Sequence, residues 1–205
     1  FKEITLLGQN VNAYGKDFTD LDYTFSDLLK DLNKTDIKRI RFTTSHPRDL
    51  DDATIETMAL GGNIMPHLHL PVQSGNNEVL KRMNRKYTHE EYLSKINKLK
   101  QLIPDISITT DIIVGFPGET EEQFQDTIKL VHEVQYDGAF TFIYSPREGT
   151  PASKIDDSIK KEVKEERLAR LNEVINKYSL YNNKKLESKV VKVLILGVSE
   201  KDKEK

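Results

Sequence analysis

One stretch, SITTDIIVGFPGETEEQ at residues 107–123, constrains the fold more than any other part of the chain. Its first half is rich in Ile, Val and Thr, the side chains that favour a buried β-strand. Gly115 and Gly118, with a proline between them, supply the backbone freedom of a tight turn. Thr120 and Gln123 have the spacing of a capping box, which predicts a helix start. The stretch therefore predicts a strand, a turn and a helix in direct succession.

Four other strand patterns surround this stretch. Strands are predicted to start near residues 3, 40, 67, 107 and 139, and helical patterns fill the first four gaps between them. Repeated βα units predict a parallel sheet with right-handed crossovers and helices on its outer side. We expect an α/β fold, specifically a partial (β/α) barrel of about five parallel strands. Because polar turns follow the strand ends, the candidate site lies at the carboxyl-end face of the barrel.

Three further segments carry specific expectations. Residues 67–72 are predicted as a strand, and Thr88 with Glu91 forms a second capping box at the start of an amphipathic helix. A long charged helix is predicted over residues 159–186. The segment KVVKVLILG at 189–197 has the composition of a last strand.

The composition limits the chemistry that the chain can perform. The 205 residues contain no cysteine, so this chain can form no disulfide, thiolate nucleophile or cysteine-bound iron–sulfur cluster. A formal net charge of −2 argues against a chain that covers nucleic acid over its whole surface, although a local basic patch is allowed. No run approaches the roughly 18 apolar residues of a membrane span, so we expect a cytoplasmic location and no membrane partner. The start at Phe1 and the charged end KDKEK lead us to expect a piece of a longer protein.

Six motifs, in the same order, resemble those of the radical S-adenosylmethionine methylthiotransferases. They are LLGQNVNAYG at 6–15, RFTTSHPRD at 41–49, HLHLPVQSG at 67–75, LKRMNRKYT at 80–88, TTDIIVGFPGET at 109–120 and FTFIYSPREGTPA at 140–152. The resemblance is closer to members that act on N6-dimethylallyladenosine in tRNA than to those that act on threonylcarbamoyl-adenosine or ribosomal protein S12. It implies a transferase that inserts sulfur and a methyl group at C2 of the prenylated adenosine beside the anticodon.

The resemblance also implies cofactors and partners. Full-length members use S-adenosylmethionine, two 4Fe-4S clusters, the tRNA anticodon stem-loop and a reductant protein. An unactivated aromatic C–H bond has no acid–base route at neutral pH, so the reaction needs a radical cofactor. The family's cluster-binding cysteines lie upstream of the first motif, and this chain has none. We therefore expect the chain by itself to be inactive.

A division into two domains follows from the same resemblance. Residues 1–186 would form a radical S-adenosylmethionine core that lacks its first strand and its cluster loop. Residues 187–205 would begin a TRAM-like, RNA-binding domain, with the predicted strand 189–197 as the first strand of a C-terminal β-barrel.

Nine residues at the ends of successive strands and on the turns that follow them are implied for S-adenosylmethionine. From the amino group of the ligand to its adenine, they are Gly8, Gln9, Asn10, Ser45, Gln73, Ser74, Ile113, Gly115 and Tyr144. Carbonyl and amide oxygens suit an ammonium group, and hydroxyls and amides bind a diol. Ordinary turns and plain core packing remain the alternatives for individual residues.

Four cations lie within six residues just after a strand-end loop, namely Lys81, Arg82, Arg85 and Lys86. The resemblance implies that they neutralise tRNA phosphates, as contacts that position the RNA without reading its sequence. A solvated helix face is the alternative.

Two alternatives of other classes remain open. His67 and His69 lie two residues apart in a predicted strand, so they face the same way and, with His46, could bind a metal in a barrel metallohydrolase. Such a site also needs a carboxylate at a strand end, whereas Asp111 lies about four residues before its glycine turn. The chain could also be a folded piece without chemistry of its own. On the methylthiotransferase interpretation, none of its residues binds a metal.

Overall fold

The computed structural model describes residues 1–195, 197 and 198. In this part of the chain, five strands and six α-helices follow one another in the predicted order. The strands are β1 (Glu3–Leu6), β2 (Arg39–Phe42), β3 (His67–His69), β4 (Ser107–Val114) and β5 (Gly138–Ile143). The helices are α1 (Phe25–Asn33), α2 (Asp52–Ala59), α3 (Asn77–Arg82), α4 (His89–Leu102), α5 (Glu121–Val134) and α6 (Lys161–Lys184).

All strand pairs are parallel, and the strands lie side by side in chain order. β1 pairs with β2, and β3, β4 and β5 form a second sheet in that order. Ile40 of β2 joins the two sheets, because it exchanges backbone hydrogen bonds with Asn63 and Met65 just before β3, at 2.7 and 3.0 Å. No pairing joins β5 back to β1 among the residues that the structure describes. The predicted partial barrel is confirmed.

The hydrophobic core lies between the strands and the helices. In β4, Ile108, Thr110, Ile112 and Val114 are buried, whereas the alternate residues are half-buried on the opposite, inner side. The inner side of β1 and β2 is polar, since Glu3 of β1 contacts the guanidinium groups of Arg39 and Arg41 of β2. The helices therefore cover one side of the sheet, and the inner side remains open.

Local sequence signals set the helix starts. Both predicted capping boxes are confirmed, with Thr88 and Thr120 each accepting a backbone N–H three residues on, and a third box begins α1 at Thr24. α4 ends at Leu102, two residues before Pro104, as expected for a residue that cannot continue a helix.

β3 is shorter than the predicted strand 67–72. Regular pairing ends at His69, and a single bridge joins Gln73 to Ile112. Three residues lie between His69 and Gln73, but only two lie between their partners Thr109 and Ile112, so the β3 side has one extra residue. Pro71 lacks a donor for the ladder, which explains why the strand bulges here.

The predicted last strand at 189–197 is wrong for the residues that are described. Residues 189–195 form no strand, and the side chains of Val190 and Ile195 are exposed. A strand needs a partner strand, and this segment has none among the described residues. Its Lys192 O accepts a hydrogen bond from Arg39 Nη2 at 3.0 Å, and its Lys189 N–H donates to Leu186 O at 3.1 Å. Leu196 lies outside the described residues.

No helix in the described part of the chain is both long enough and apolar enough to cross a membrane.

Candidate functional site

A cavity of about 690 Å³ opens at the carboxyl-end face of β3, β4 and β5. It brings together three of the predicted cofactor residues, Gln73, Ile113 and Tyr144. Two of the predicted cations, Arg82 and Arg85, line the same cavity. The sequence assigned these residues to two ligands, but the structure places them around one space.

Backbone hydrogen bonds hold Gln73 at the edge of the cavity. Its N–H donates to Asp111 O at 2.8 Å, and its carbonyl accepts from Ile113 N–H at 2.9 Å. Its φ of 71° lies in the left-handed region that non-glycine residues rarely adopt. Ser74, the next residue, does not line the cavity, because its hydroxyl is buried against Thr127 of α5, at 3.4 Å between the oxygens. The structure thus separates two neighbours that the sequence had grouped.

The turn after β4 is held by Glu119, a residue that the sequence analysis missed. Glu119 is 3% exposed, and its Oε2 accepts a hydrogen bond from Gly115 N–H at 2.8 Å. Arg167 of α6, itself 4% exposed, donates through Nη1 to the same Oε2 and to Glu119 O, both at 3.0 Å. Burial raises the pKa of Glu119, although the Gly115 amide and Arg167 act in the opposite direction. A buried ion pair therefore sets the shape of this turn.

Lys164 of α6 covers the other side of the same turn. Gly115 has a φ of 68°, and a Cβ added there would lie 2.6 Å from Lys164 Cγ. The Lys164 ammonium contacts Asp157 at 2.5 Å and lies 5.9 Å from the centre of the Tyr144 ring. Gly115, which was predicted to approach the adenine closely, is thus packed against a helix. No sequence signal pointed to these contacts, since Glu119 and Arg167 are 48 residues apart.

Tyr144 forms a wall of the cavity with Phe116. The two ring centres are 4.9 Å apart in an edge-on arrangement. The Tyr144 hydroxyl is buried and has no hydrogen-bond partner among the described residues. A buried hydroxyl without a partner is costly, so this position favours a ligand or water that completes the bond.

The turns after β1 and β2 form a second polar region. Gly8 and Asn10 line a separate cavity of about 480 Å³, whereas Gln9 is exposed and lines neither cavity. Asn10 Nδ2 donates to Asp49 Oδ2 at 2.6 Å, which leaves Asn10 Oδ1 buried without a partner in the described residues. The Ser45 hydroxyl is also buried and unpartnered there. Two free acceptor oxygens therefore remain in this region.

Asp49 is the buried anion that organises this second region. Burial alone would raise its pKa, but hydrogen bonds from Arg48, Lys16 and Asn10 outweigh burial and hold the pKa well below its usual range. Lys16 Nζ lies 2.5 Å and Arg48 Nη2 2.8 Å from its carboxylate. A carboxylate only accepts hydrogen bonds, so the charged Asp49 directs the amide nitrogen of Asn10 towards itself. The amide oxygen of Asn10 then points away from Asp49.

The four predicted tRNA cations separate into two pairs. Lys81 and Lys86 are exposed, whereas Arg82 and Arg85 are half-buried at the cavity. Arg82 Nη2 donates to Gln123 Oε1 at 2.9 Å and so supports the start of α5. Arg147, which the sequence analysis did not single out, lines the cavity as well.

The model of the radical SAM superfamily matches residues 1–131, which is more than half of the chain. The chain belongs to the radical SAM superfamily. Among curated proteins, it is 62% identical over 199 residues to a tRNA-2-methylthio-N(6)-dimethylallyladenosine synthase of Bacillus cytotoxicus, an alignment that covers 97% of this chain and 39% of that protein. The protein of the same name from Bacillus subtilis is 60% identical over 199 residues, an alignment that also covers 97% of this chain and 39% of that protein. The chain thus spans about 39% of the length of these curated relatives.

Solved structures support the radical SAM fold. Coproporphyrinogen III oxidase from Escherichia coli superposes with a TM-score of 0.59 at 24% identity, covering 75% of this chain and 36% of that one. Methylornithine synthase gives a TM-score of 0.57 at 17% identity, covering 85% of this chain and 49% of that one. At these identities the likeness concerns the fold alone.

The radical SAM chain fits one of the superfamily's two cofactors. A cavity of about 690 Å³ has the size of a small-molecule site, and the buried, unpartnered Tyr144 hydroxyl lies beside it. S-adenosylmethionine fits this set of aromatic, amide and cationic side chains. An iron–sulfur cluster does not fit, because the chain has no cysteine to hold it.

The three histidines of the metallohydrolase alternative do not form a site. His46 Nδ1 accepts Arg48 N–H at 3.2 Å, and its ring packs edge-on against Tyr87. His69 instead contacts Asp111. Burial lowers the pKa of both His46 and His67. Within residues 1–195, 197 and 198, no three His, Cys, Asp or Glu side chains are grouped as metal ligands, so this alternative is wrong there.

Proposed function

We propose that this chain is the cofactor-binding and RNA-binding part of a tRNA methylthiotransferase. The reaction would convert N6-dimethylallyladenosine beside the anticodon into its 2-methylthio derivative. The identity of 60–62% to synthases of that name, over 97% of the chain, carries this proposal. Related substrates, namely threonylcarbamoyl-adenosine or ribosomal protein S12, are the alternative within the family.

S-adenosylmethionine, when bound in a complete enzyme, supplies the methyl group and the radical. In this chain, Gln73, Ile113 and Tyr144 would surround its adenosine part in the large cavity. The methionyl end would meet the turns after β1 and β2, at Gly8, Gln9, Asn10 and Ser45. There the unpartnered Asn10 Oδ1 and Ser45 Oγ offer hydrogen-bond acceptors. Ser74 and Gly115 would act through the shape of their turns.

The RNA would lie across the carboxyl-end face. Lys81 and Lys86 are exposed and free to reach phosphates, whereas Arg82 and Arg85 would contact the strand only where it enters the cavity. Residues 1–186 would be the radical SAM core, and residues 187–205 the start of an RNA-binding domain. We also propose a cytoplasmic location and a reductant protein as the electron source of the complete enzyme.

A chimera tests the function directly. This chain would replace the matching segment of the Bacillus subtilis relative, in cells that lack their own enzyme. We expect 2-methylthio-N6-dimethylallyladenosine in tRNA nucleosides analysed by mass spectrometry. A stable chimera that leaves this nucleoside unmodified, or that modifies threonylcarbamoyl-adenosine instead, would overturn the proposal. The chain by itself should release no 5'-deoxyadenosine from S-adenosylmethionine and a reductant.

The RNA-binding lysines have their own test in the same chimera. Reversing the exposed charges with Lys81→Glu and Lys86→Glu should weaken tRNA binding and reduce its salt dependence, since the slope of log K against log salt falls by about 1 for each phosphate that is no longer neutralised. Lys34→Glu, a change of an exposed lysine at the end of α1, is the matched control. Unchanged affinity of the double variant at low salt would remove these lysines from the RNA site.

A further inference from the structure

The inner side of β4 and β5 carries side chains that have no role so far. Strand alternation places Asp111 and Ile113 of β4 on the same face as Phe140 and Phe142 of β5. The parallel register sets Asp111 beside Phe140 and Ile113 beside Phe142. We call Asp111, Phe140 and Phe142 the inner-face group.

The two phenylalanines of this group are exposed although they lie in a regular strand. Phe140 is 63% and Phe142 51% exposed, whereas the other face of the sheet is covered by helices. Phe142 and Asp111 both line the large cavity. Exposed aromatic rings next to a cavity are typical of a surface that binds a ligand.

His69 of β3 holds the Asp111 carboxylate in place. His69 Nε2 lies 3.3 Å from Asp111 Oδ1, and His69 Nδ1 lies 3.0 Å from Thr109 Oγ1. The His69 ring also packs edge-on against Phe140, with 6.0 Å between the ring centres. The Asp111 side chain remains 28% exposed, so the carboxylate is oriented and still accessible from the cavity.

We propose that the inner-face group binds the base of a prenylated adenosine, an inference that rests on the proposed function. The purine ring stacks on Phe142, Asp111 accepts the hydrogen bond of N6–H, and the dimethylallyl group packs on Phe140. The N6 atom of this nucleoside carries both the hydrogen and the prenyl group. The residue that accepts the hydrogen bond of N6–H and the residue that packs on the prenyl group must therefore be neighbours.

The strand geometry meets this requirement. Asp111 and Phe140 are register partners on adjacent strands, which places their backbones about 4.8 Å apart. Phe142 lies two residues after Phe140, towards the cavity mouth, so the two residues are about 6.6 Å apart along the strand. This distance is close to the width of a purine. Arg85 and Arg147 line the same cavity, so the phosphates of a nucleotide that enters base-first have cations beside them.

Titration of this chain with free nucleosides, followed by NMR, tests the inference. N6-dimethylallyladenosine should shift the resonances of Asp111, Phe140 and Phe142, and adenosine should bind at least about tenfold more weakly because it lacks the prenyl group. No shift in the inner-face group, or shifts confined to another surface, would overturn the inference. Shifts of this group that depend on protein concentration without ligand would also overturn it, since a second copy would then cover the face.

Variants separate the roles of the three side chains. Phe142→Leu should weaken both nucleosides about 5- to 100-fold because the stacking surface is removed, whereas Phe142→Tyr should retain binding. Phe140→Ala should remove only the preference for the prenylated nucleoside. Asp111→Asn should weaken that nucleoside about 5- to 10-fold. Phe18→Ala, at an aromatic ring that is 40% exposed on another surface, is the control and should change neither affinity.

The outcome is distinguishable from failure of the proposed function. If the chimera modifies tRNA but the prenylated nucleoside does not reach the inner-face group, the inference fails and the function stands. If the nucleoside binds as expected but the chimera leaves tRNA unmodified, the function fails. Equal decreases in affinity in Phe18→Ala and Phe142→Leu would assign the effect to general stability and reject the site.

Discussion

The turn after β4 and the inner-face group border the same cavity but are built in opposite ways. Around the turn, Glu119, Arg167 and Lys164 bury their charges in hydrogen bonds and ion pairs. On the inner face, Phe140 and Phe142 leave most of their ring surface open. Buried charges that lose a partner are costly, whereas exposed rings are not. The turn therefore has the construction of a rigid support, and the inner face that of a surface kept free for a ligand.

The largest expected effect comes from breaking the buried ion pair. Arg167→Met leaves Glu119 charged and buried, so the free energy of unfolding should fall by about 3–5 kcal/mol. Arg170→Met, at the next turn of the same helix, is the matched control, because Arg170 pairs with the exposed Glu166 and the half-exposed Glu121 and should cost under about 1 kcal/mol. Urea unfolding of both variants measures the difference. Equal decreases in stability would show that the turn is no more rigid than the helix surface.

A smaller decrease is expected from filling the space at Gly115. Gly115→Ala meets both an unfavourable φ of 68° and the Lys164 side chain at 2.6 Å, which together should cost about 2–4 kcal/mol. Gly149→Ala isolates the backbone part, since Gly149 has a φ of 81° but no atom within 4 Å of the added Cβ, and should cost about 1–2 kcal/mol. Thermal unfolding compares the two. If Gly115→Ala loses no more thermal stability than Gly149→Ala, the Lys164 side chain moves away from the added methyl group freely.

The free energy of unfolding should depend on pH through the titration of Glu119, the buried carboxyl group of the turn. Because the pKa of folded Glu119 is raised above 4.5, the native state holds more protons than the unfolded state just above that pH. The contribution of Glu119 to stability should thus fall as pH rises from 4.5 through the folded pKa. Glu119→Gln removes this titration, so the stability of the wild type relative to the variant should decline over that window. A constant difference across the window would contradict the raised pKa.

The smallest effect on stability is expected on the inner face. Phe142→Leu changes a ring that is 51% exposed, so the free energy of unfolding should change by no more than about 0.5 kcal/mol. The same variant should bind both nucleosides about 5- to 100-fold more weakly, whereas Arg170→Met should leave both affinities unchanged. Denaturant unfolding and the NMR titration of one protein sample test both statements. A decrease of several kcal/mol would show that Phe142 belongs to the core and not to a binding surface.

The sequence by itself determined the order of the elements and the local signals that begin and end them. The capping residues Thr88 and Thr120 and the glycine turn at Gly115 act within a few residues of their partners, so their pattern is readable along the chain. The parallel partial barrel followed from the repeated βα pattern, and the lack of cysteine excluded a cluster in this chain.

Only the tertiary structure decided how these turns are completed. Arg167 reaches Glu119 across 48 residues, and Asn10 meets Asp49 across 39, distances over which no sequence spacing carries information. Of the nine predicted cofactor residues, three line one cavity, two line another and four line neither, and the segment 189–195 forms no strand despite its strand-like composition. Periodicity reports which side chains prefer burial, but the partner that a buried charge or a strand edge finds depends on which distant segment packs against it.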